Sequence, residues 1–271
     1  MPELPEVETT RRGLLPHVVG RRVKGAVVRN ANLRWPVTRD LNGRVRGEKV
    51  ADIRRRGKYL LFDFPKGHLL VHLGMSGRLS LVASDKPVKA HDHVDIELEG
   101  HQSLRLTDPR RFGAMLWVPG PAERHVLLRS LGVEPFDPAF GGELLQRLAK
   151  GRRVAVKQFI MNGRIVTGVG NIYASEALFL AGIHPLRSVG RISRARWDRL
   201  AAAVRETLER ALAAGGSTLR DYAQADGSPG YFQHESMVYG REGLPCRHCG
   251  TPIRVQRQGQ RSTFYCLTCQ K

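Results

Sequence analysis

Four cysteines, all within the last 26 residues, constrain the fold of this chain more than any other feature of its sequence. They form two Cys-x2-Cys pairs, Cys246/Cys249 and Cys266/Cys269, with sixteen residues between the pairs. Such pairs supply four thiolates for tetrahedral zinc, whereas the absence of thiols from the first 245 residues argues against a secreted disulfide framework. Four sulfur ligands leave no open coordination position. We therefore expect one structural Zn²⁺ per chain, with His248 at the surface rather than bound to the metal.

The segment between the two cysteine pairs indicates a β-hairpin. Residues 253–257 and 261–265 have the composition of strands, and Gly259 and Gln260 lie between them as a tight turn. Arg261 follows the turn, so it is expected to project from the tip, where a DNA groove could receive it. Taken alone, this module is also compatible with a zinc-ribbon DNA-binding protein that has no catalytic activity.

The charge of the chain indicates a polyanionic partner. It contains 44 Lys and Arg against 25 Asp and Glu, a formal charge of +19, and the basic residues recur in small clusters rather than in one tail. This pattern favours a folded nucleic-acid-binding surface. The N-terminus has no apolar signal region and no run is long and apolar enough for a membrane helix, so we expect a cytoplasmic protein without membrane contact.

The first half of the 271-residue chain is rich in short β-type runs. Apolar or alternating segments at 59–62, 68–71, 94–98 and 114–117 are separated by glycines. Many short strands with turns between them predict a β-sandwich or barrel, preceded by a short helix around Glu6 to Leu14. A stretch with several prolines and glycines between Pro119 and Pro138 is the expected domain boundary.

Beyond that boundary the apolar spacing becomes helical. Ser193 can cap a helix that ends near Gly215, with an apolar face formed by Trp197, Leu200, Ala201, Val204, Leu208 and Leu212. A second helix is predicted from Asn171, as its N-cap, to Gly182. The glycine-bearing turn before it would present free backbone N–H groups able to hold a phosphate.

Four separated motifs together resemble the formamidopyrimidine-DNA glycosylases: MPELPEVE at the start, TDPRRFG at 107–113, GVGNIYASE at 168–176 and the cysteine module ending in QRSTFYC. The resemblance implies an α+β multidomain fold. Its parts are an N-terminal β-sandwich with a short N-terminal helix (1–131), a helix-two-turn-helix domain (132–235) and a C-terminal β-hairpin zinc finger (236–271), with DNA in the cleft between domains.

The resemblance also implies an activity. The expected enzyme is a monomeric bacterial DNA glycosylase and AP lyase of base-excision repair, acting at the nucleoid on double-stranded DNA that contains oxidised purines or abasic sites. The sister endonuclease VIII branch, which prefers oxidised pyrimidines, typically begins MPEGPE. Leu4 therefore favours removal of 8-oxoguanine and formamidopyrimidines, with the pyrimidine branch as the alternative.

The N-terminal residues have chemistry that suits this activity. Removal of Met1 would expose the secondary amine of Pro2, and an α-amino group with a pKa of about 7.7–8.0 is partly unprotonated at neutral pH. This amine would attack the sugar and form an iminium that permits β- and then δ-elimination. Glu3 is the expected general acid, and Glu6 has a supporting role.

Further DNA contacts are carried over from the resemblance. Lys58, as a strand lysine, and Asn171 and Arg261 would hold the phosphates flanking the lesion, with Lys58 and Arg261 counted as catalytic. Met75, Arg110 and Phe112 would fill the space left by the everted base, and His91 and Arg152 would contact the backbone. The glycine-rich segment 217–239 resembles a loop that closes over the everted base, with Ser217 as a candidate contact.

Overall fold

The computed structural model describes residues 2–216 and 236–271, and the chain divides into two compact units. The first contains the described residues up to Arg129 together with 214–216. The second contains residues 130–213 and 236–271, so the central helices and the cysteine module lie in one unit. The division into three domains at 131 and 235 stays a prediction.

The first unit is a β-sandwich of two four-stranded antiparallel sheets, which confirms the predicted fold. Its strands are β1 (Val23–Val28), β2 (Asp52–Arg56), β3 (Tyr59–Phe64), β4 (Gly67–His72), β5 (Arg78–Ala83), β6 (Asp92–Leu98), β7 (Gln102–Thr107) and β8 (Ala114–Val118). One sheet has the order β1-β6-β7-β5 and the other β2-β3-β4-β8. All four strand runs predicted from the sequence fall within these strands.

In the part of this unit that the structure describes, two α-helices accompany the sandwich, α1 (Leu4–Val18) and the short α2 (Leu41–Val45). The helix α1 is longer than the predicted segment, because Pro5 is tolerated in its first turn and the apolar spacing continues to Val18. Leu4, Val7 and Leu14 of this helix have no exposed surface. Burial of each such side chain contributes about 1.5–3 kcal/mol, so α1 is firmly fixed to the sheets and holds the N-terminus in place.

The second unit contains the helices α3 (Gly142–Ala149), α4 (Val156–Ile160), α5 (Asn171–Leu180) and α6 (Arg194–Ala213). The predicted apolar face of α6 is buried from Trp197 to Leu208, with both of these residues at 1% exposure or less. Leu212, in the last turn, is only half-buried, so the buried face ends one turn earlier than predicted. Among the described residues, no helix is long and apolar enough to cross a membrane.

The cysteine module contains the predicted hairpin, with strands β9 (Arg254–Gln258) and β10 (Arg261–Tyr265) paired antiparallel. The two connecting residues, Gly259 and Gln260, both have positive φ angles, +54° and +62°. A two-residue turn of type I′ has positive φ at both positions, and the twist of this turn matches the twist of the strands that it joins. Arg261 is therefore the first residue after the turn, exposed at the tip as the sequence predicted.

Candidate functional site

The four cysteines come together at the open end of the hairpin. Their sulfur atoms all lie within 4.8 Å of one another, with 4.0 Å between Cys246 Sγ and Cys269 Sγ and 3.5 Å between Cys249 Sγ and Cys266 Sγ. A tetrahedral zinc with Zn–S bonds of about 2.3 Å requires sulfur separations of roughly 3.8 Å. The donor set therefore fits one structural Zn²⁺, while His248 is exposed, with its Nδ1 3.5 Å from Cys269 Sγ.

A buried carboxylate of α5 connects this helix to the chain that enters the cysteine module. Glu176 accepts hydrogen bonds from the backbone N–H groups of Met237, Val238 and Tyr239 at 2.7, 3.0 and 2.7 Å. Burial raises the pKa of Glu176, and the three donors act in the opposite direction. Sequence reasoning missed this residue. The available signal was a single acidic residue within an otherwise apolar helix, NIYASEALFL.

The N-terminus of α5 differs from the prediction. Gly170, in extended conformation at φ −129°, precedes the helix, and Asn171 is its first residue rather than its N-cap. The Asn171 side chain does not cap the helix. Its amide Nδ2 instead donates to the backbone carbonyl of Ser262 at 3.0 Å, next to Arg261 at the hairpin tip. The helix end and the hairpin tip are thus brought together within the second unit.

A pocket of about 200 Å³ lies at this junction, and Asn171, Arg261 and Lys157 are among the residues that line it. Lys157, on α4, is only 2% exposed. Its ammonium donates to Thr263 Oγ1 at 2.9 Å and to Ser262 O at 3.3 Å. Arg152 is exposed in the loop after α3 and is not among the described residues lining the pocket.

In the first unit, the chain from Pro2 to Glu6 is buried. Glu3 precedes α1 in extended conformation, and its backbone N–H donates to Glu6 Oε2 at 2.8 Å. The other carboxylate oxygen of Glu6 faces Gly216, where an added Cβ would lie only 3.1 Å away. Glu6 therefore holds the backbone of Glu3 and, through it, the position of Pro2. Ser217 and the predicted loop up to residue 235 lie outside the described residues.

Lys58 lies in the two-residue turn between β2 and β3, not on a strand as predicted, because Gly57 with φ +57° reverses the chain there. Its neighbour Tyr59 packs against His72 of β4, with ring centroids 4.8 Å apart. Burial lowers the pKa of His72 to about 4, and the charges of Lys58 and Arg34 act in the same direction. His72 is therefore neutral at neutral pH and accepts a hydrogen bond from the Gly74 N–H at 3.1 Å.

Three loops at one end of the sandwich carry the remaining predicted residues. Met75 lies between β4 and β5, His91 precedes β6, and Arg110 and Phe112 lie between β7 and β8. All four are exposed, with Met75 at 37% and Phe112 at 39%. The guanidinium of Arg110 stacks on the Phe112 ring, 4.9 Å from its centroid. The exposed apolar side chains of Met75 and Phe112, with the guanidinium of Arg110 beside the Phe112 ring, suit insertion into a base stack.

The chain matches known families along most of its length. Residues 1–115 match the formamidopyrimidine-DNA glycosylase N-terminal domain, 131–223 the formamidopyrimidine-DNA glycosylase H2TH domain, and 243–271 the zinc finger found in FPG and IleRS. It is 56% identical over 271 residues to the formamidopyrimidine-DNA glycosylases of Syntrophotalea carbinolica and Methylococcus capsulatus, covering 100% of each chain.

Solved structures give the same result. The MutM (Fpg) protein of Thermus thermophilus is 40% identical with a TM-score of 0.89, over 99% of this chain and 98% of that one. A Lactococcus lactis Fpg variant in complex with DNA containing Fapy-dG is 31% identical with a TM-score of 0.93, over 100% of both chains. L. lactis Fpg bound to abasic-site DNA is 31% identical with a TM-score of 0.91, over 99% of both. From the finger to the N-terminal sandwich, this chain belongs to the formamidopyrimidine-DNA glycosylase family.

Proposed function

We propose that this protein is a bifunctional DNA glycosylase and AP lyase that excises oxidised purines from double-stranded DNA, starting base-excision repair. The observation that carries the proposal is the full-length match to formamidopyrimidine-DNA glycosylases, which includes the Met-Pro-Glu start. The relatives of known structure hold Fapy-dG and abasic-site DNA. Because the match extends over the sandwich and not only over the finger, the alternative of a non-catalytic zinc ribbon has no support.

The proposed reaction begins at Pro2, once Met1 is removed. Its secondary amine attacks C1′ of the damaged nucleotide, the glycosidic bond breaks, and the base leaves with a proton. Glu3 donates a proton to the ring oxygen of the sugar as the ring opens, which leaves an iminium between Pro2 and C1′. Glu6 acts as a positioning residue, since its carboxylate fixes the backbone N–H of Glu3 at 2.8 Å.

The lyase steps follow from the iminium. It withdraws electrons from C2′, so a base can remove a C2′ proton and the 3′ phosphate leaves by β-elimination. A second elimination releases the 5′ phosphate, and water then hydrolyses the iminium to free Pro2. The structural zinc has no part in these steps, because four thiolates complete its coordination. It stabilises the hairpin that carries Arg261.

The remaining residues bind and distort the DNA in this proposal. Lys58 of the first unit and Asn171 and Arg261 of the second contact phosphates, as do His91 and Arg152. Phe112 wedges into the stack, Met75 fills the vacated space, and Arg110 hydrogen-bonds the widowed base. Extrusion of a base costs a few kcal/mol, which these contacts must offset. Ser217 is proposed to contact the everted base, and the protein is proposed to act in the cytoplasm, at the nucleoid.

The test is borohydride trapping on an 8-oxoguanine:cytosine duplex, followed by peptide mapping of the attachment point. Processed protein should cross-link through Pro2 and nick the strand. Protein that retains an N-terminal extension should bind the same DNA without cross-linking or cutting, because an amide nitrogen has no basic lone pair. A cross-link at Lys58, or efficient trapping by the extended protein, would remove Pro2 from the nucleophile's role. Faster release of thymine glycol than of 8-oxoguanine would instead indicate the oxidised-pyrimidine branch.

A further inference from the structure

The three loops that carry Met75, His91 and Arg110 with Phe112 are all hydrogen-bonded to one buried residue, Asp108. Asp108 has no exposed surface. It lies at the end of β7, two residues before Arg110, and is itself unable to reach DNA without leaving the interior. Its hydrogen bonds extend to each of the three loops.

The carboxylate bridges two of the loops directly. Ser76, next to Met75, donates its hydroxyl to Asp108 Oδ1 at 3.2 Å, and Gly113, next to Phe112, donates its backbone N–H to Asp108 Oδ2 at 2.8 Å. A buried carboxylate without hydrogen-bond donors would be costly, and these two donors satisfy one oxygen each. Both donors are therefore held at fixed distances from the same rigid group.

The backbone of Asp108 connects the third loop. Its N–H donates to the carbonyl of His91 at 3.0 Å, and its carbonyl accepts from the buried ring of His93 at 2.8 Å, through Nε2. The same carbonyl accepts from the Arg111 N–H at 3.1 Å, which closes the turn that presents Arg110. Asp108 is thus hydrogen-bonded to all three loops, through its carboxylate to the loops of Met75 and Phe112 and through its backbone to the loop of His91.

Two glycines let the loops approach closely enough for this bridge. A Cβ on Gly74, whose φ is +66°, would lie 2.6 Å from the backbone nitrogen of Gly113. A Cβ on Gly113 would lie 2.7 Å from the carbonyl oxygen of His72. The loops are therefore in backbone contact. Because the Asp108 carboxylate is also hydrogen-bonded to both loops, a shift of one loop would displace the other.

We infer that Asp108 is a positioning residue for base eversion, which holds Met75, Arg110 and Phe112 in one register so that they enter the DNA together. Sites of this kind require supporting hydrogen bonds that hold the contacting side chains to about 0.5 Å. The inference rests on the proposed glycosylase function and on insertion of these side chains. Loss of the Asp108 carboxylate should therefore slow excision of a damaged base more than it slows cleavage of a preformed abasic site.

The experiment compares Asp108→Ala and Asp108→Asn with the wild type in single-turnover reactions on 8-oxoguanine:cytosine DNA and on a preformed abasic site. Asp108→Ala should slow excision by about 10–100-fold, as expected for displacement of positioned groups by about 1 Å, and slow abasic cleavage by less than about threefold. Asp108→Asn should restore excision to within about threefold of wild type. Its amide oxygen still accepts from Gly113, and its NH₂ group can donate to the Ser76 hydroxyl.

A binding readout separates positioning from folding. The fluorescence of 2-aminopurine placed beside a stable abasic-site analogue increases when an inserted side chain separates this base from its stacked neighbours. At saturating protein, Asp108→Ala should lose at least about half of this signal. The control is Asp63→Ala, which removes a carboxylate bonded to Arg54 and His68 in the other sheet and should leave both the signal and the excision ratio unchanged.

Equal slowing of excision and abasic cleavage by Asp108→Ala, an undiminished 2-aminopurine signal, or failure of Asp108→Asn to restore excision would each overturn the inference. If Asp108→Ala does not fold, Ser76→Ala decides, because it removes the bond to the Met75 loop alone. It should slow excision by about 3–10-fold with little change at abasic sites, and equal slowing of both reactions would again overturn the inference. A wild-type protein that releases no 8-oxoguanine would refute the proposed function instead, and is distinguishable from all of these results.

Discussion

Replacing Phe112 by alanine measures how much the proposed wedge contributes to eviction of the damaged base. The ring is 39% exposed in the free protein, and it is supported on one side by the guanidinium of Arg110. A phenyl side chain has roughly 200 Å² of accessible surface, so about 80 Å² remains to be buried against base pairs. At about 25 cal/mol per Å², insertion of this surface stabilises the everted complex by about 2 kcal/mol.

That free energy corresponds to a rate effect of about 30-fold. Phe112→Ala should therefore slow single-turnover excision of 8-oxoguanine by about this factor. Cleavage of a preformed abasic site should change little, because it has no damaged base to remove from the stack. Phe112→Leu retains much of the apolar surface, so its excision rate should lie between those of Phe112→Ala and the wild type. The measurement is a gel assay of strand cleavage on matched duplexes with enzyme in excess.

The chain offers a matched control in Phe136, which is 38% exposed in the second unit and has no proposed DNA contact. Phe136→Ala should leave both reactions unchanged. Because both phenylalanines are at the surface, each substitution should alter the free energy of unfolding by no more than about 0.5 kcal/mol, which a denaturant titration checks. The wedge argument is refuted if Phe112→Ala slows excision and abasic cleavage by the same factor.

Three further predictions concern the metal, the phosphates and pH. Cys249→Ser should lower zinc content and DNA affinity while thermal unfolding of the β-sandwich persists, and full zinc content would contradict the ligand set. Affinity for undamaged duplex should fall with salt at a log–log slope near −0.9 per phosphate, reduced by about one in Lys58→Ala or Arg261→Ala; indifference to salt would exclude phosphate contacts. The pKa of His72 is lowered from 6.5 to about 4, so the unfolded chain binds this proton first. The contribution of this group to the free energy of unfolding is fully present above pH 6.5, and at most about 3 kcal/mol of it is lost as the pH falls towards 4. His72→Gln should therefore flatten this part of the plot of unfolding free energy against pH.

The elements predicted correctly are those whose signal is local. The strand run 94–98 alternates apolar and acidic residues with a period of two, which predicts a strand although its residues are almost all buried, and the cysteine spacing contains the full ligand set of the metal. Between β9 and β10 the local signal is Gly259, which adopts positive φ without strain; Gln260 also has positive φ. No distant contact is needed to choose among alternatives in these cases.

The errors and omissions involve partners that are distant in sequence. Asn171 is a good N-cap by type, but its side chain bonds Ser262, 91 residues later, and leaves the cap to Gly170. The strand position of Lys58 is a prediction from the family resemblance, whereas the positive φ of Gly57 turns the chain there. Asp108 and Glu176 were not selected as bridging residues, because their roles depend on loops that only the folded structure brings to them.

The position of Arg261 shows why the zinc finger needs support at both ends of its hairpin. The cysteines lie at the open end, where Cys266 follows β10 directly, so zinc fixes the strands far from the tip. Near the tip, Ser262 O and Thr263 Oγ1 accept hydrogen bonds from the buried ammonium of Lys157, and Ser262 O also accepts from Asn171. A module of this size buries too little apolar surface to hold its shape alone. Zinc is therefore necessary for the hairpin to form, but the direction of Arg261 is set by α4 and α5. The proposed phosphate contact at the tip consequently depends on two helices outside the metal site.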